Sequence, residues 1–533
     1  MRRATWALVA AGACALAACE IEGDSEPTLD VEGPDATPLV RPDTPGNALQ
    51  FNFDRGDLVE SFGSANGRFL IHYARSGPNA VPAADGDASG VPDFVEEVAS
   101  VYEDVLTFYE TTLGFRPPVD DAAIDDNGGS PAFDVYLVDF AGVGDGVFRV
   151  DECDADNPDR CAGFMTQEND YAGYGYPSTF YANRILGSHE FFHAVQAAYD
   201  NEQGSVLGEG TAVWATEMYD PDLEDFEAFI PGYLDNPDRP LDEPLPGPVD
   251  PFSYGSAIFF KFLEERYGAE AVRAIWEQCE NGAGGVADPQ WLDVLDGVVA
   301  GHGGTSFADA FVEFATWNLK TDDFADPATS YADGADYPRV LIDDVEAPYT
   351  DDAMRVYHAS TQYLAMSPGG RAAMTAVLVP PADNPDAADG LRLLIGVERD
   401  EAVELVEVAD PTVTAEPIDT QGASRFVVTV VNTATGGDSK KPALCAGTPE
   451  EVDACRASLG SGEGGAGGGG GGTGGSDDTG GSGGGGGDGD DAADDGCNCN
   501  AAGEASDVST FAPWMMLAVA GLLSRRAKSF RGT

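Results

Sequence analysis

His189 and His193 place two imidazoles four positions apart in the run His189-Glu190-Phe191-Phe192-His193, and this constrains the chain more than any other stretch. Residues at i and i+4 share one face of a helix, so the run predicts a helix that turns both rings toward one point. Imidazole nitrogen suits zinc, and Glu190, next to the first ring, is placed to take a proton from water polarised by such an ion. Glu209 stands sixteen positions after His193, at a distance that allows a further ligand. Strings of this form also occur on ordinary amphipathic helices. With only 5 histidines in the chain and a glutamate downstream, the metal reading is preferred.

A chain of 533 residues exceeds one ordinary core, so two or three folded units are expected. Lys+Arg 28 against Asp+Glu 93 gives a formal charge of -65, which argues against nucleic acid or an anionic membrane surface as a partner. The excess reads as a solvated acidic surface that favours divalent cations.

Residues 1–19 read as an export leader: Arg2 and Arg3, an apolar run, then Leu16-Ala17-Ala18-Cys19. That ending resembles a bacterial lipobox, with Cys19 as the lipidated residue; a plain secretory signal cut nearby is the alternative. Residues 20–50 are acidic, Pro-rich and without hydrophobic periodicity, and are expected to form a disordered tether. In an exported chain, Cys153 with Cys161 and Cys445 with Cys455 read as disulfides, each pair flanking a short polar loop. Cys279 reads as a buried thiol.

Residues 51–325 are expected to form the unit that carries the metal site, with strands first and helices after, an α+β order. Apolar alternation predicts strands over residues 68–77 and 133–142. Between them, residues 85–96 fit a calcium-loop template, with Asp85, Asp87, Ser89, Val91, Asp93 and Glu96 at the ligating positions and Gly90 at the sharp turn. The helix that normally enters such a loop is absent, and the stretch also reads as an acidic turn with Asp93 capping a helix that ends at Gly114. Residues 175–184 read as an edge strand or an extended approach to the motif helix, which is expected from about Ile185 to Tyr199. A second helix is expected from Gly208 through Glu217.

At this point a resemblance emerges. The motif together with Gly208-Glu209-Gly210-Thr211-Ala212 resembles the gluzincin metallopeptidases, whose second zinc-bearing helix often opens on a similar sequence. The resemblance implies a zincin-like domain with zinc held by His189, His193 and Glu209, and with Glu190 as general base. The spacing is shorter than in the best-known members, and Val213 stands where some place a supporting acidic residue. Glu217 is therefore kept as a reserve ligand or as support for a histidine, and Asp200 as a weaker candidate. Such chemistry needs a donor for the developing oxyanion, and Tyr254, in the stretch before the helix of residues 256–268, is the candidate; a packing tyrosine is the plainer reading. His302, in a glycine-rich turn, and His358, in an expected strand, are read as structural.

From residue 335 to 456, short β-rich runs separated by Pro, Gly and Asp suggest a small β-sandwich without chemistry of its own. Residues 459–494 form a Gly/Ser/Asp linker. Residues 495–533 hold Cys497 and Cys499, an apolar run short of the roughly 20 residues a spanning helix needs, and a basic cluster. This arrangement resembles the MYXO-CTERM sorting tail of myxobacterial exported proteins, and the whole chain resembles exported metalloproteases of that group. The resemblance implies a processing peptidase that acts on the tail, attachment to the membrane only through lipid or the C-terminal anchor, and a place at the outer membrane or cell surface, or release from it. The function expected is a zinc peptidase, an endopeptidase acting on protein or peptide, with calcium as a structural ion. An adhesion or binding protein on the same fold, catalytically idle, is the alternative.

Overall fold

Apolar alternation in the first third of the chain builds one mixed sheet. Its strands are β1 (Val59–Gly63), β2 (Phe69–Ala74), β3 (Phe133–Val138), β4 (Gly146–Asp154) and β5 (Asn157–Glu168), in the order β1-β2-β3-β5-β4. The inner pairs β2–β3 and β3–β5 are parallel, whereas β1–β2 and β5–β4 are antiparallel. Side chains alternate between faces, so Val135 and Leu137 enter the main core while Tyr136 and Val138 enter a smaller one with Phe53, Phe140 and Phe164. A parallel step needs a crossover, and α1 (Asp93–Phe108) supplies it between β2 and β3. This computed structural model describes residues 40–44, 49–124, 127–246, 250–282 and 289–460; the leader, the linker, the sorting tail and Cys19, Cys497 and Cys499 lie outside them.

Helices follow the sheet: α2 (Thr179–Gln196), α3 (Ser205–Tyr219), the short α4 (Asp225–Phe229), α5 (Pro231–Leu234) and α6 (Pro251–Gly255), then α7 (Ala257–Tyr267), α8 (Ala269–Cys279), α9 (Trp291–Gly301) and α10 (Phe307–Asn318). The chain is thus a mixed α/β structure, strands before helices in this part. No described helix is long and apolar enough to cross a membrane.

Where a small sandwich was expected, the chain forms a five-stranded and a four-stranded sheet that share a core. The first contains β6 (Asp343–Val345), β8 (Ser360–Met366), β10 (Leu391–Arg399), β11 (Ala402–Glu407) and β13 (Arg425–Asn432); the second contains β7 (Tyr349–Asp351), β9 (Ala373–Val379), β12 (Ile418–Asp419) and β14 (Ala443–Gly447). Phe426, Val428 and Val430 fill the space between the sheets, whereas Val427 and Val431 point the other way, into the core of the helical part. Strand β13 is buried on both faces, which is why it reads as an almost unbroken apolar run. Tyr363 Oη donates to the Ala315 carbonyl of α10 at 2.9 Å across this junction.

Several expectations are corrected. Residues 175–184 are not an edge strand: Ser178 caps α2 by accepting from the Tyr181 N–H at 3.1 Å, and the helix begins at Thr179. The edge strand beside this helix is β4. The helix ends at Gln196 rather than Tyr199, and α3 begins at Ser205, ahead of Gly208. Asp93 does not cap α1, because its carboxylate instead accepts from the Gly86 N–H at 2.9 and 3.1 Å. His358 sits in a turn, where its Nε2 lies 2.7 Å from Asp242.

Both expected disulfides form, with their cysteines inside regular elements. Cys153 and Cys161 face each other across the β4–β5 ladder, and Cys445 of β14 joins Cys455 of α11 (Pro449–Gly460). That helix opens on a reciprocal cap: Glu451 Oε2 accepts from the Thr448 N–H at 2.8 Å and Thr448 Oγ1 from the Glu451 N–H at 3.3 Å. Cys279 is buried in α8 as a thiol.

Within the stretch expected as a tether, residues 40–44, 49 and 50 are described, and Arg41 is part of the fold. Arg41 is fully buried, with Nη1 2.5 Å from Asp134 and Nη2 2.9 Å from Asp121 and 2.5 Å from Asp151. Its guanidinium lies over the Phe164 ring, so this residue is clamped to the sheet.

Candidate metal centre

The motif helix is wedged between sheet and helices, and its two phenylalanines fix its rotation. Phe191 packs edge-on against Phe69 of β2 at 5.3 Å and Phe133 of β3 at 5.1 Å, while Phe192 meets Tyr109 and Phe115 at 5.1 Å each. With that side committed to the core, the opposite side turns His189 and His193 toward α3, as the i, i+4 spacing predicts. Ser188 ties the two helices together, its Oγ 3.0 Å from Thr216 Oγ1.

Glu209 comes from α3 to meet both rings. Its Oε2 lies 3.1 Å from His189 Nε2 and 3.6 Å from His193 Nε2, and all three residues are buried. Ligands bound at about 2.0–2.1 Å in a tetrahedron lie roughly 3.3 Å apart, so these separations bracket what one small ion between the three atoms requires. Ligand atoms of His189, Glu190 and His193 also lie within 4.8 Å of one another. The donor set of two imidazole nitrogens and carboxylate oxygen fits zinc. Burial alone pushes the Glu209 carboxyl up, but the two imidazoles hold it well below the usual range. Burial likewise pulls His189 down, and Glu209 and Glu190 outweigh it, leaving the ring above its ordinary value. The rings and the carboxylate are therefore electrostatically matched.

Gln196 holds the second ring and was not anticipated. Its Oε1 lies 2.8 Å from His193 Nδ1, and its Nε2 donates to the Gly208 carbonyl at 2.7 Å and to Thr211 Oγ1 at 2.9 Å. These donors force the amide orientation, so the oxygen faces the ring, Nδ1 carries the proton and Nε2 is left for an ion. One amide thereby links His193 to the turn of α3 that carries Glu209. The sequence signal was present: Gln196 is three residues beyond His193, on the same face of the helix.

Glu190 is half-buried beside this group, and its Oε2 has no hydrogen-bond partner among the described residues. Burial raises its carboxyl above the ordinary value. The start of β4 lies directly against it: a Cβ on Gly146 would stand 2.7 Å from Leu186 Cδ1 and 2.9 Å from Glu190 Cγ, so only glycine lets the strand come this close. Tyr254 is brought to the site as expected, though from within α6 rather than ahead of a helix. Its ring stacks on His189 at 5.6 Å and packs on Phe229 at 4.9 Å.

Other candidates fall elsewhere. Glu217 lies two turns beyond Glu209 on α3, roughly 12 Å along the axis, and its leading charged neighbours are Glu227 and Lys261. Burial raises its carboxyl to about 7. Asp200 accepts from Gln203 Nε2 at 2.7 Å, and His302 Nδ1 bonds the Val298 carbonyl at 2.8 Å. In the 85–96 loop, ligand atoms of Asp85, Asp87 and Asp93 lie within 4.8 Å of one another, all exposed. Gly90 takes φ 93, the left-handed turn the template demands, and Ser89 N–H bonds both Asp85 and Asp87, at 3.1 and 2.9 Å. Glu96 lies on α1 and does not join that group of three.

No family model matches the chain, and no curated protein matches it.

Proposed function

We propose that this chain is a zinc-dependent peptidase of zincin-like fold that cleaves peptide bonds outside the cytoplasm. The observation that carries the reading is the placement of Glu209 Oε2 between His189 Nε2 and His193 Nε2 with the Glu190 carboxylate alongside. His189, His193 and Glu209 would hold zinc, which supplies Lewis-acid chemistry: it polarises a carbonyl and acidifies water. Glu190 accepts the proton from the attacking water and returns it to the leaving amine. A carboxyl raised by burial suits both steps. Tyr254, whose ring stacks on His189, would donate from its hydroxyl to the developing oxyanion. The outer edge of β4 opens beside Glu190 and suits an extended peptide that pairs with it by main-chain hydrogen bonds.

Export and surface attachment belong to the same proposal and rest on the leader, the lipobox cysteine and the sorting tail in the sequence. Calcium in the loop around Asp85, Asp87 and Asp93 is its structural counterpart.

The test is Glu190→Gln. The variant should keep zinc, measured by metal analysis, and lose peptide hydrolysis by at least about a hundredfold. Full activity in the variant, or a folded wild type that takes up no zinc, refutes the proposal.

A further inference from the structure

Ser61, His72 and Asp134 form a hydrogen-bonded chain on the face of the first sheet opposite the motif helix. Phe69 and Ile71 of β2 enter the main core, where Phe69 meets Phe191, so His72 points to the other face. There its ring stacks on Tyr136, with centroids 4.3 Å and planes 9° apart, which leaves both nitrogens for partners in the ring plane. Nε2 lies 2.8 Å from Asp134 Oδ1, and Nδ1 lies 3.0 Å from Ser61 Oγ. His72 and Asp134 are buried, whereas Ser61 is exposed.

Charge fixes the direction of the two bonds. Asp134 Oδ2 pairs with Arg41 Nη1 at 2.5 Å, so the carboxylate only accepts, and His72 donates to it from Nε2. Nδ1 is then left without a proton and accepts from the Ser61 hydroxyl, the arrangement in which a histidine activates a nucleophile. Either ring nitrogen serves as a base once the other holds the proton. Asp121, Asp134 and Asp151 surround the single cation of Arg41, so a positive charge arising on His72 is stabilised. The backbone adds a donor. The Ser64 N–H donates to the Phe69 carbonyl at 2.9 Å, and pairs alternate along an antiparallel ladder, so Phe62–Ile71 is a hydrogen-bonded pair and Ser61–His72 is not. Non-bonded pairs bring side chains closest and turn their N–H groups away from the partner strand. Because β1 ends the sheet, the Ser61 N–H faces its open edge and can meet the oxygen of a carbonyl that Oγ attacks.

We propose that Ser61 is the nucleophile of a second site, separate from the metal centre, that hydrolyses carboxylic esters. Ser61 Oγ bonds the ester carbonyl carbon while His72 Nδ1 takes the hydroxyl proton and passes it to the departing alcohol. Water, deprotonated by the same nitrogen, then releases the acid and restores Ser61. An alkyl fluorophosphonate tests the nucleophile directly: the Oγ–P bond forms, the P–F bond breaks and fluoride leaves. The probe is applied to the full chain with a zinc chelator present, and adducts are located by peptide mass spectrometry. Exposed Ser89, whose hydroxyl bonds the Val91 carbonyl at 3.3 Å, is the internal control. Ser61 should react roughly a hundred- to ten-thousandfold faster than Ser89, the range for a positioned base. His72→Gln, which keeps a donor for Asp134, should bring Ser61 down to the rate of Ser89. Ser61→Ala should remove hydrolysis of p-nitrophenyl acetate under the same conditions. Equal labelling of Ser61 and Ser89 in the folded wild type overturns the proposal, whether or not His72→Gln folds. A folded His72→Gln that labels as fast as the wild type, or ester hydrolysis unchanged in Ser61→Ala, overturns it as well.

Discussion

Replacing Gln196 by leucine tests how the fold aims a metal ligand without touching the ligand itself. The side chain makes three buried contacts, at 2.8 Å to His193 Nδ1, 2.7 Å to the Gly208 carbonyl and 2.9 Å to Thr211 Oγ1. Leucine preserves the volume and removes all three. The ring loses the acceptor that fixes its tautomer and orientation, and removal of such a partner typically costs 10–100-fold in metal affinity, or about 1.4–2.7 kcal/mol. Thr211 Oγ1 still donates to the Leu207 carbonyl at 2.7 Å, so the added folding cost is at the low end, about 1 kcal/mol for each orphaned acceptor. Competition with a fluorescent zinc chelator measures the affinity independently of turnover. Gln196→Glu separates the contributions: it keeps an acceptor for Nδ1 and loses the donors to α3, so zinc affinity should hold or rise while thermal stability falls. A leucine variant that binds zinc within about twofold of the wild type, still folded, would show that packing alone holds His193.

Arg41→Met leaves Asp121, Asp134 and Asp151 buried without their cation, and should cost about 3–5 kcal/mol in denaturant unfolding. Burial already raises the Asp121 carboxyl, and a raised folded value means protonation favours the native state, so the deficit should shrink as pH falls; a pH-independent loss below about 1 kcal/mol contradicts the clamp. Glu451 is held down to about 2 by its paired hydrogen bonds from Arg371, each 2.9 Å long. Its folded value lies below the ordinary 4.5, so this stabilisation is complete above about pH 4.5 and disappears as pH falls toward about 2. The gap in melting temperature between wild type and Glu451→Gln should close over that window; a constant gap argues against the pair. Calcium near a hundred times its dissociation constant should add about 2.7 kcal/mol of stability, and Asp85→Asn with Asp93→Asn should abolish the gain. A melt that does not respond to calcium reduces the loop to an acidic turn.

The capping sequence Thr448-Pro449-Glu450-Glu451 shows that some of what went unread was legible. Every residue of that signal lies within one turn, yet the close cysteines and polar composition suggested a loop, and the structure builds α11 instead. The same holds for Gln196, three residues from a ligand. The edge strand was a different matter. Residues 175–184 carry aromatic, strand-like composition, but Ser178 supplies a cap and the burial of Ala182, Asn183 and Leu186 on α2 outweighs propensity.

What the sequence determined by itself was everything set within a turn or two: the shared face of His189 and His193, the calcium-template spacing, the strand runs and the cysteine pairs. Local geometry obeys fixed periods, and residues a few positions apart have little choice about where they stand relative to one another. Only the tertiary structure decided that Glu209 reaches both rings while Glu217 does not, and that β4 lies against Glu190. Those placements depend on which strands pair and which helices pack. That choice is made by burying Phe191, Phe192 and the helix α3 in a shared core, among residues drawn from the whole length of the chain.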